Sequence, residues 1–240
     1  MSNEETVLLR HLLIGNEDAI INNKKGVGDM TTIYLIRHSI KEKNFGEFDT
    51  FDSFQIRNEK LILSPEGEEK AIQLSKHIEL QNIDELWTSN YVRAISTAKY
   101  IARKNNIKLN ISSSFDERHY GDWNDDEDKE KFWINQFLDI NLKNINGESQ
   151  KDVQNRMHAK IKEIFVKNDN KKVAIVCHNA CILFYLLKFC KLEKAELNKR
   201  LTIKFEDKIL IEDSIMKSPS IMKLEFENNK LLDISYIEID

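Results

Sequence analysis

Thr31-Thr32-Ile33-Tyr34-Leu35-Ile36-Arg37-His38 decides how this chain reads. From Thr31 to Ile36 the residues are β-branched, aromatic or leucine, with no charge until Arg37, which is the composition of a buried strand. Val173 to Cys177, an all-apolar run, repeats the pattern and reads as a strand covered on both faces. It too ends in a histidine, His178.

Between the two runs the chain punctuates itself. Ser64 is a helix N-cap, Pro65 takes the first helical position, and Glu66, Glu68 and Glu69 stand in the first turn, where the helix dipole favours acids. Ala71, Leu74 and Ile78 then fall on one face. Glu85 to Ser89 reads as a short strand, followed by a helix with the stripe Ala94, Ile95, Ala98, Ile101 and Ala102. Ser112 to Gly147 reads as irregular, a third helix carries Val153, Met157, Ile161, Ile164 and Phe165, and Ala180 to Phe189 follows the second buried strand as a helix. This alternation predicts a three-layer α/β/α domain with a mostly parallel central sheet. Leu201 to Ile211 and Ile221 to Ile239, the latter with an Asn228-Asn229 turn, read as antiparallel C-terminal edge strands. Residues 1–29 differ in pattern and read as an N-terminal extension to a domain over 30–240.

Composition removes several classes of function. The 7 Gly and 2 Pro exclude fibrous and low-complexity chains. Gly26 to Gly28 is the sole Gly-x-Gly and opens no apolar helix, and Gly-Lys-Ser/Thr is absent, so a glycine-rich phosphate cradle is not expected. A net charge of 36 − 40 = −4 offers no global basic field for nucleic acid, so any anion site must be a local cluster. Ala180 to Leu187 is too short an apolar run to span a membrane, and the first residues are acidic where a signal peptide is basic. The three cysteines, Cys177, Cys181 and Cys190, are odd in number and crowded, which fits reduced thiols and a cytoplasmic location.

In an α/β sheet ligands meet the carboxyl ends of the strands. Here those ends carry Arg37-His38, Ser89 to Arg93, and Cys177-His178. Two arginines that never deprotonate can neutralise a phosphoryl group without a metal. A histidine crowded by them keeps a neutral nitrogen with which to attack phosphorus, and His38 is best placed for that; His178 then donates to the transferring oxygens. Glu117 is the candidate to protonate the leaving alkoxide. Each assignment has a plainer rival. His38 can be a hydrogen-bonded structural residue, Arg93 a solvated helix-start cation, and Glu117 one acid among Asp116, Asp122, Asp125 and Asp126. Cys177, His178 and Cys181 can be read as metal ligands, although no second pair completes a zinc set. Trp123, Phe132, Trp133 and Phe137 can be packing or a substrate wall.

Taken together, these residues resemble a known family. Ile33 to Ser39 is similar to the Leu-Ile-Arg-His-Gly opening of the histidine phosphatase superfamily, the phosphoglycerate mutase-like proteins. Five further elements follow in that family's order. They are Leu63 to Ala71, Thr88 to Ala98 with Arg93, Glu117 with Gly121-Asp122-Trp123, Gly147-Glu148-Ser149 with Asp152, Val153 and Arg156, and Val173 to Asn179. The resemblance covers residues 31–190 and implies a phosphatase that hydrolyses a phosphomonoester through a phosphohistidine on His38. It places Arg37, Arg93 and His178 in the phosphate pocket and makes Glu117 first the proton donor, then the base for water. It also implies a further arginine between the first strand and first helix, where Arg57 stands.

Two positions depart from the family. Ser39 replaces Gly and is expected either to donate to a phosphate oxygen or to narrow the pocket. Asn179 replaces the Gly after the second histidine, as suits a left-handed backbone. The loop from Ile40 to Phe54 lacks the Asn and Gly-Trp pattern of the sugar-phosphate mutases, which favours hydrolysis over phosphoglycerate mutase-type transfer. The other rival is a silent member that binds a phosphate ester. No cofactor is expected, and the expected partner is a small-molecule phosphate ester, with no nucleic acid or membrane. The segments His119 to Asn146 and Lys41 to Leu63 are expected to cover the pocket.

Overall fold

The computed structural model describes residues 30–43, 52–122, 128–167, 170–198 and 200–239. The proposed extension 1–29, part of the loop after His38, and Trp123, Asp125 and Asp126 lie outside them.

β1 (Met30–Arg37) and β4 (Lys172–Cys177) are the two buried runs, paired in parallel from Thr32 opposite Lys172 to Arg37 opposite Cys177. Side chains alternate across a strand, so each run feeds two cores. Ile33, Leu35, Val173, Ile175 and Cys177 enter one; Tyr34, Ile36, Ala174 and Val176 enter the other. α2 (Pro65–Ser75) and α3 (Val92–Asn105) close the second core with Leu74, Ala94, Ala98 and Ile101. The first is closed by α5 (Gln150–Lys167) and α6 (Asn179–Leu186). With β2 (Glu85–Thr88) and β3 (Leu109–Ile111) added, four parallel strands lie between helices, as expected for three layers.

The sheet order is β3-β2-β4-β1-β8-β9, where β8 (Ser220–Glu227) and β9 (Lys230–Glu238) are the antiparallel edge. Asn228 and Asn229 turn between them with φ of 50° and 64°, the hairpin geometry anticipated for that pair. The other C-terminal segment departs from expectation. Leu201 to Ile211 is two strands, β6 (Arg200–Phe205) and β7 (Lys208–Ser214), which join β5 (Lys191–Glu196) in a separate three-stranded sheet. Leu201, Ile203 and Ile211 pack that sheet onto the first core, so it is not an extension of the main sheet's edge.

Three local readings also change. The segment read as irregular contains α4 (Lys129–Leu138), started by Asp128, which accepts from the amides of Glu130 and Lys131 at 3.0 Å each. Its Phe132, Trp133 and Phe137 are buried, so these aromatics are packing rather than a substrate wall. α2 ends at Ser75, and Ile78 stands on a 3₁₀ turn, 78% exposed. Asn179 is the first residue of a right-handed helix, not a left-handed one. In the loop between β1 and α2, α1 (Phe54–Lys60) is capped by Ser53. Among the described residues no helix is long and apolar enough to cross a membrane.

Candidate active site at the carboxyl rim of the sheet

The register that pairs Arg37 with Cys177 brings His38 and His178 off adjacent strands at the same level, and the His38 amide donates to the Cys177 carbonyl at 3.0 Å. Ser89 leaves β2 at that level too, its amide donating to the Val176 carbonyl at 3.1 Å. The ring centroids of His38 and His178 are 5.1 Å apart.

Arg93, in the first turn of α3, joins the two. Its Nε donates to His38 Nε2 at 3.0 Å and its Nη2 to His178 Nδ1 at 3.1 Å, while Nη1 donates to the Asn58 carbonyl of α1. A guanidinium can only donate. His38 Nε2 is therefore the unprotonated nitrogen, and Nδ1 carries the proton that goes to the Ser39 carbonyl at 2.7 Å. By the same logic His178 accepts at Nδ1 and donates from Nε2 to Ser89 Oγ at 2.7 Å. Burial, and after it the charge of Arg93, hold both imidazoles well below their ordinary range, so both are neutral at pH 7.

Arg37 points its Nη1 at the Met216 carbonyl, in the loop between β7 and β8, and its buried Nε has no hydrogen-bond partner among the described residues. Ser218, from that loop, donates to the His38 carbonyl at 2.7 Å. Glu117 enters from the stretch after β3. Its Oε1 accepts from the amides of Arg118 and Cys181 at 3.0 Å each, and its Oε2 from Ala180 at 3.3 Å. The carboxylate thus caps α6, whose own N-cap residue, His178, makes no side-chain cap bond. Glu117 is also the foremost carboxylate opposing the charges of Arg37 and Arg93. Arg118, fully buried beside it, lies 4.7 Å from the Tyr120 ring, and its Nε and Nη1 are likewise without partners.

The remaining sequence candidates sit as follows. Ser39 is fully buried, its hydroxyl donating to the Gly67 carbonyl at 2.7 Å. Arg57 lies on the exposed side of α1. Cys177 and Cys181 are buried, the latter with Sγ 3.2 Å from Met157 Sδ, and among the described residues no group of three or more His, Cys, Asp or Glu is gathered as a metal set. Sequence reasoning missed Asn58, Met216 and Ser218. Two of them act through backbone carbonyls, which leave no trace in residue type.

Two neutral histidines bridged by an arginine, with a second arginine and a capped carboxylate, are thus gathered at the carboxyl ends of parallel strands in an α/β fold. The model of the histidine phosphatase superfamily, branch 1, matches residues 33–204, and the chain belongs to that superfamily. Among curated proteins none matches. Solved structures share the fold at low identity. Mycobacterial glucosyl-3-phosphoglycerate phosphatase in its native form aligns with a TM-score of 0.63 at 16% identity, over 89% of this chain and 99% of its own. A phosphoserine phosphatase mutant from Entamoeba histolytica, in complex with phosphoserine, gives 0.59 at 17%, over 88% and 98%. YhfR of Bacillus stearothermophilus gives 0.59 at 18%, over 88% and 96%.

Proposed function

We propose that the protein is a metal-independent phosphomonoesterase that works through a phosphohistidine on His38. The observation that carries this is the tautomer of His38: a buried, neutral ring whose Nδ1–H is taken by a backbone carbonyl and whose Nε2 lone pair faces Arg93. In the resting site that lone pair is occupied by Arg93. An arriving phosphoryl dianion draws the guanidinium onto its own oxygens, which frees Nε2 for in-line attack. Arg37, with its unpartnered Nε, adds oxygen contacts, and His178 adds one when its ring carries a proton on Nδ1, the nitrogen that Arg93 vacates.

Glu117, entering the cycle as the carboxylic acid, gives the departing oxygen its proton from Oε2, which carries only the longer of its hydrogen bonds, and as the resulting carboxylate regains one from the water that cleaves the P–N bond. Ser39 spends its proton on Gly67, so we assign it to holding the turn after His38 rather than to the phosphate. Arg57 keeps only the assignment that its place between β1 and α2 suggests. Neighbours in fold act on phosphoserine and glucosyl-3-phosphoglycerate, which supports a small phosphate ester as substrate. Three free thiols fit a cytoplasmic setting.

The test is turnover of an aryl phosphate in excess chelator, with acid-labile, alkali-stable phosphate trapped on the protein. Activity that the chelator abolishes, or that persists unchanged in His38→Ala, overturns the proposal.

A further inference from the structure

One ion pair of the family-like elements has no part in the chemistry above. Arg156, on α5, grips Glu148 with two nitrogens, Nε to Oε1 at 2.7 Å and Nη2 to Oε2 at 3.0 Å. The pair is largely buried, at 19% and 21% side-chain exposure. Its other bonds go to the backbone on either side of Glu117. Upstream, Arg156 Nη1 donates to the Ser114 carbonyl at 2.8 Å and Nη2 to that of Asp116 at 2.9 Å. Downstream, Glu148 Oε2 accepts from the His119 amide at 2.9 Å, and the Glu148 amide donates to the His119 carbonyl at 2.9 Å. Asp116 in turn accepts from the Asn90 amide at 2.8 Å, which ties the same stretch to the turn that carries Ser89 and Arg93.

From this arrangement we infer that Arg156 and Glu148 are positioning residues for proton transfer by Glu117. The peptide of Glu117 is clamped one residue before and two residues after, while its carboxylate rests on the amides of α6. The reach of Oε2 towards a leaving oxygen is therefore set by the pair, and a displacement of about 1 Å in such a group costs on the order of 100-fold in rate. Because His38 and Arg37 stand at the end of β1 and Arg93 on α3, joined to the clamped stretch only through Asp116 and Asn90, loosening the clamp at Arg156 and Glu148 weakens protonation of the leaving group more than attack by His38. The inference rests on the acid role proposed for Glu117.

Leaving-group dependence tests both. Dinitrophenyl phosphate expels a stable anion and needs no proton; phenyl phosphate needs one. In Arg156→Met and in Glu148→Gln, kcat/KM for phenyl phosphate is expected to fall about 100-fold while that for dinitrophenyl phosphate changes less than about 3-fold. Glu117→Gln shows the same selective loss, and adding Arg156→Met to it costs little more. Equal losses on both substrates in the Arg156 and Glu148 variants, beside a selective loss in Glu117→Gln, overturn the positioning role and leave Glu117 as the acid. A Glu117→Gln variant with no selectivity overturns the acid assignment itself. Glu148→Gln is isosteric and serves as the arbiter if Arg156→Met does not fold.

Discussion

Arg93 holds three partners at once, two imidazole nitrogens and the carbonyl of Asn58, and that sharing decides which nitrogen of each ring carries the proton. Lysine keeps the charge but cannot reach two rings from one plane. Arg93→Lys is expected to lower kcat/KM by about 100- to 1,000-fold, the cost typical of one lost charge-stabilising donor, as steady-state assay will show. The neutral histidines also make a prediction about pH. An unperturbed imidazole takes up its proton near pH 6.5, whereas these folded rings resist it, so below that value the unfolded chain binds more protons than the folded one. Stability therefore rises with pH up to about 6.5 and is lost on acidification, by at most about 1.4 kcal/mol per pH unit for each ring. Chemical denaturation between about pH 6.5 and 5 is expected to give a shallower slope in His178→Asn than in the parent protein.

At the scale of elements, the start of α2 is seated against the turn that follows His38. A Cβ on Gly67 would lie 1.9 Å from the Ile40 carbonyl oxygen, and the Gly67 carbonyl is the acceptor for Ser39. Gly67→Ala must push helix and turn apart, and is expected to cost about 1–3 kcal/mol in thermal unfolding and to lower kcat with it. The same elements show what was legible in sequence. Buried strands and capped helices announce themselves: Ser64 caps α2 through the Gly67 amide at 3.0 Å, as its place before Pro65 predicted. α4 was hidden because its apolar residues Phe132, Trp133 and Phe137 follow a dense run of charge, which masks helical spacing. The break between β6 and β7 was hidden because Glu206 makes the turn at φ 51°, a conformation for which Gly or Asn is the usual signal. Of the site, the arginines, histidines and glutamate were legible through their order along the chain. The carbonyls of Asn58 and Met216 were not, since every residue type carries one.

For the molecule as a whole, a net charge of −4 coexists with a site in which two arginines, Arg37 and Arg93, stand beside neutral histidines and one carboxylate. The excess is local, and an anion that binds there binds only the folded state. Inorganic phosphate at 100 times its Kd is expected to stabilise the protein by about 2.7 kcal/mol, read as a rise in melting temperature. A double variant Arg37→Met with Arg93→Met shows no such rise.

β8 pairs with β1 along all eight residues, from Met30 opposite Glu227 to Arg37 opposite Ser220. The loop that leads into it brings Met216 to Arg37 and Ser218 to His38. A growing chain that has left the ribosome only as far as α6 already holds both histidines, both arginines and Glu117, yet its central strand still lacks a neighbour. Catalytic competence thus waits on the emergence of residues 215–227. A nascent chain stalled before them is predicted to turn over no aryl phosphate, which assay of ribosome-bound chains will show.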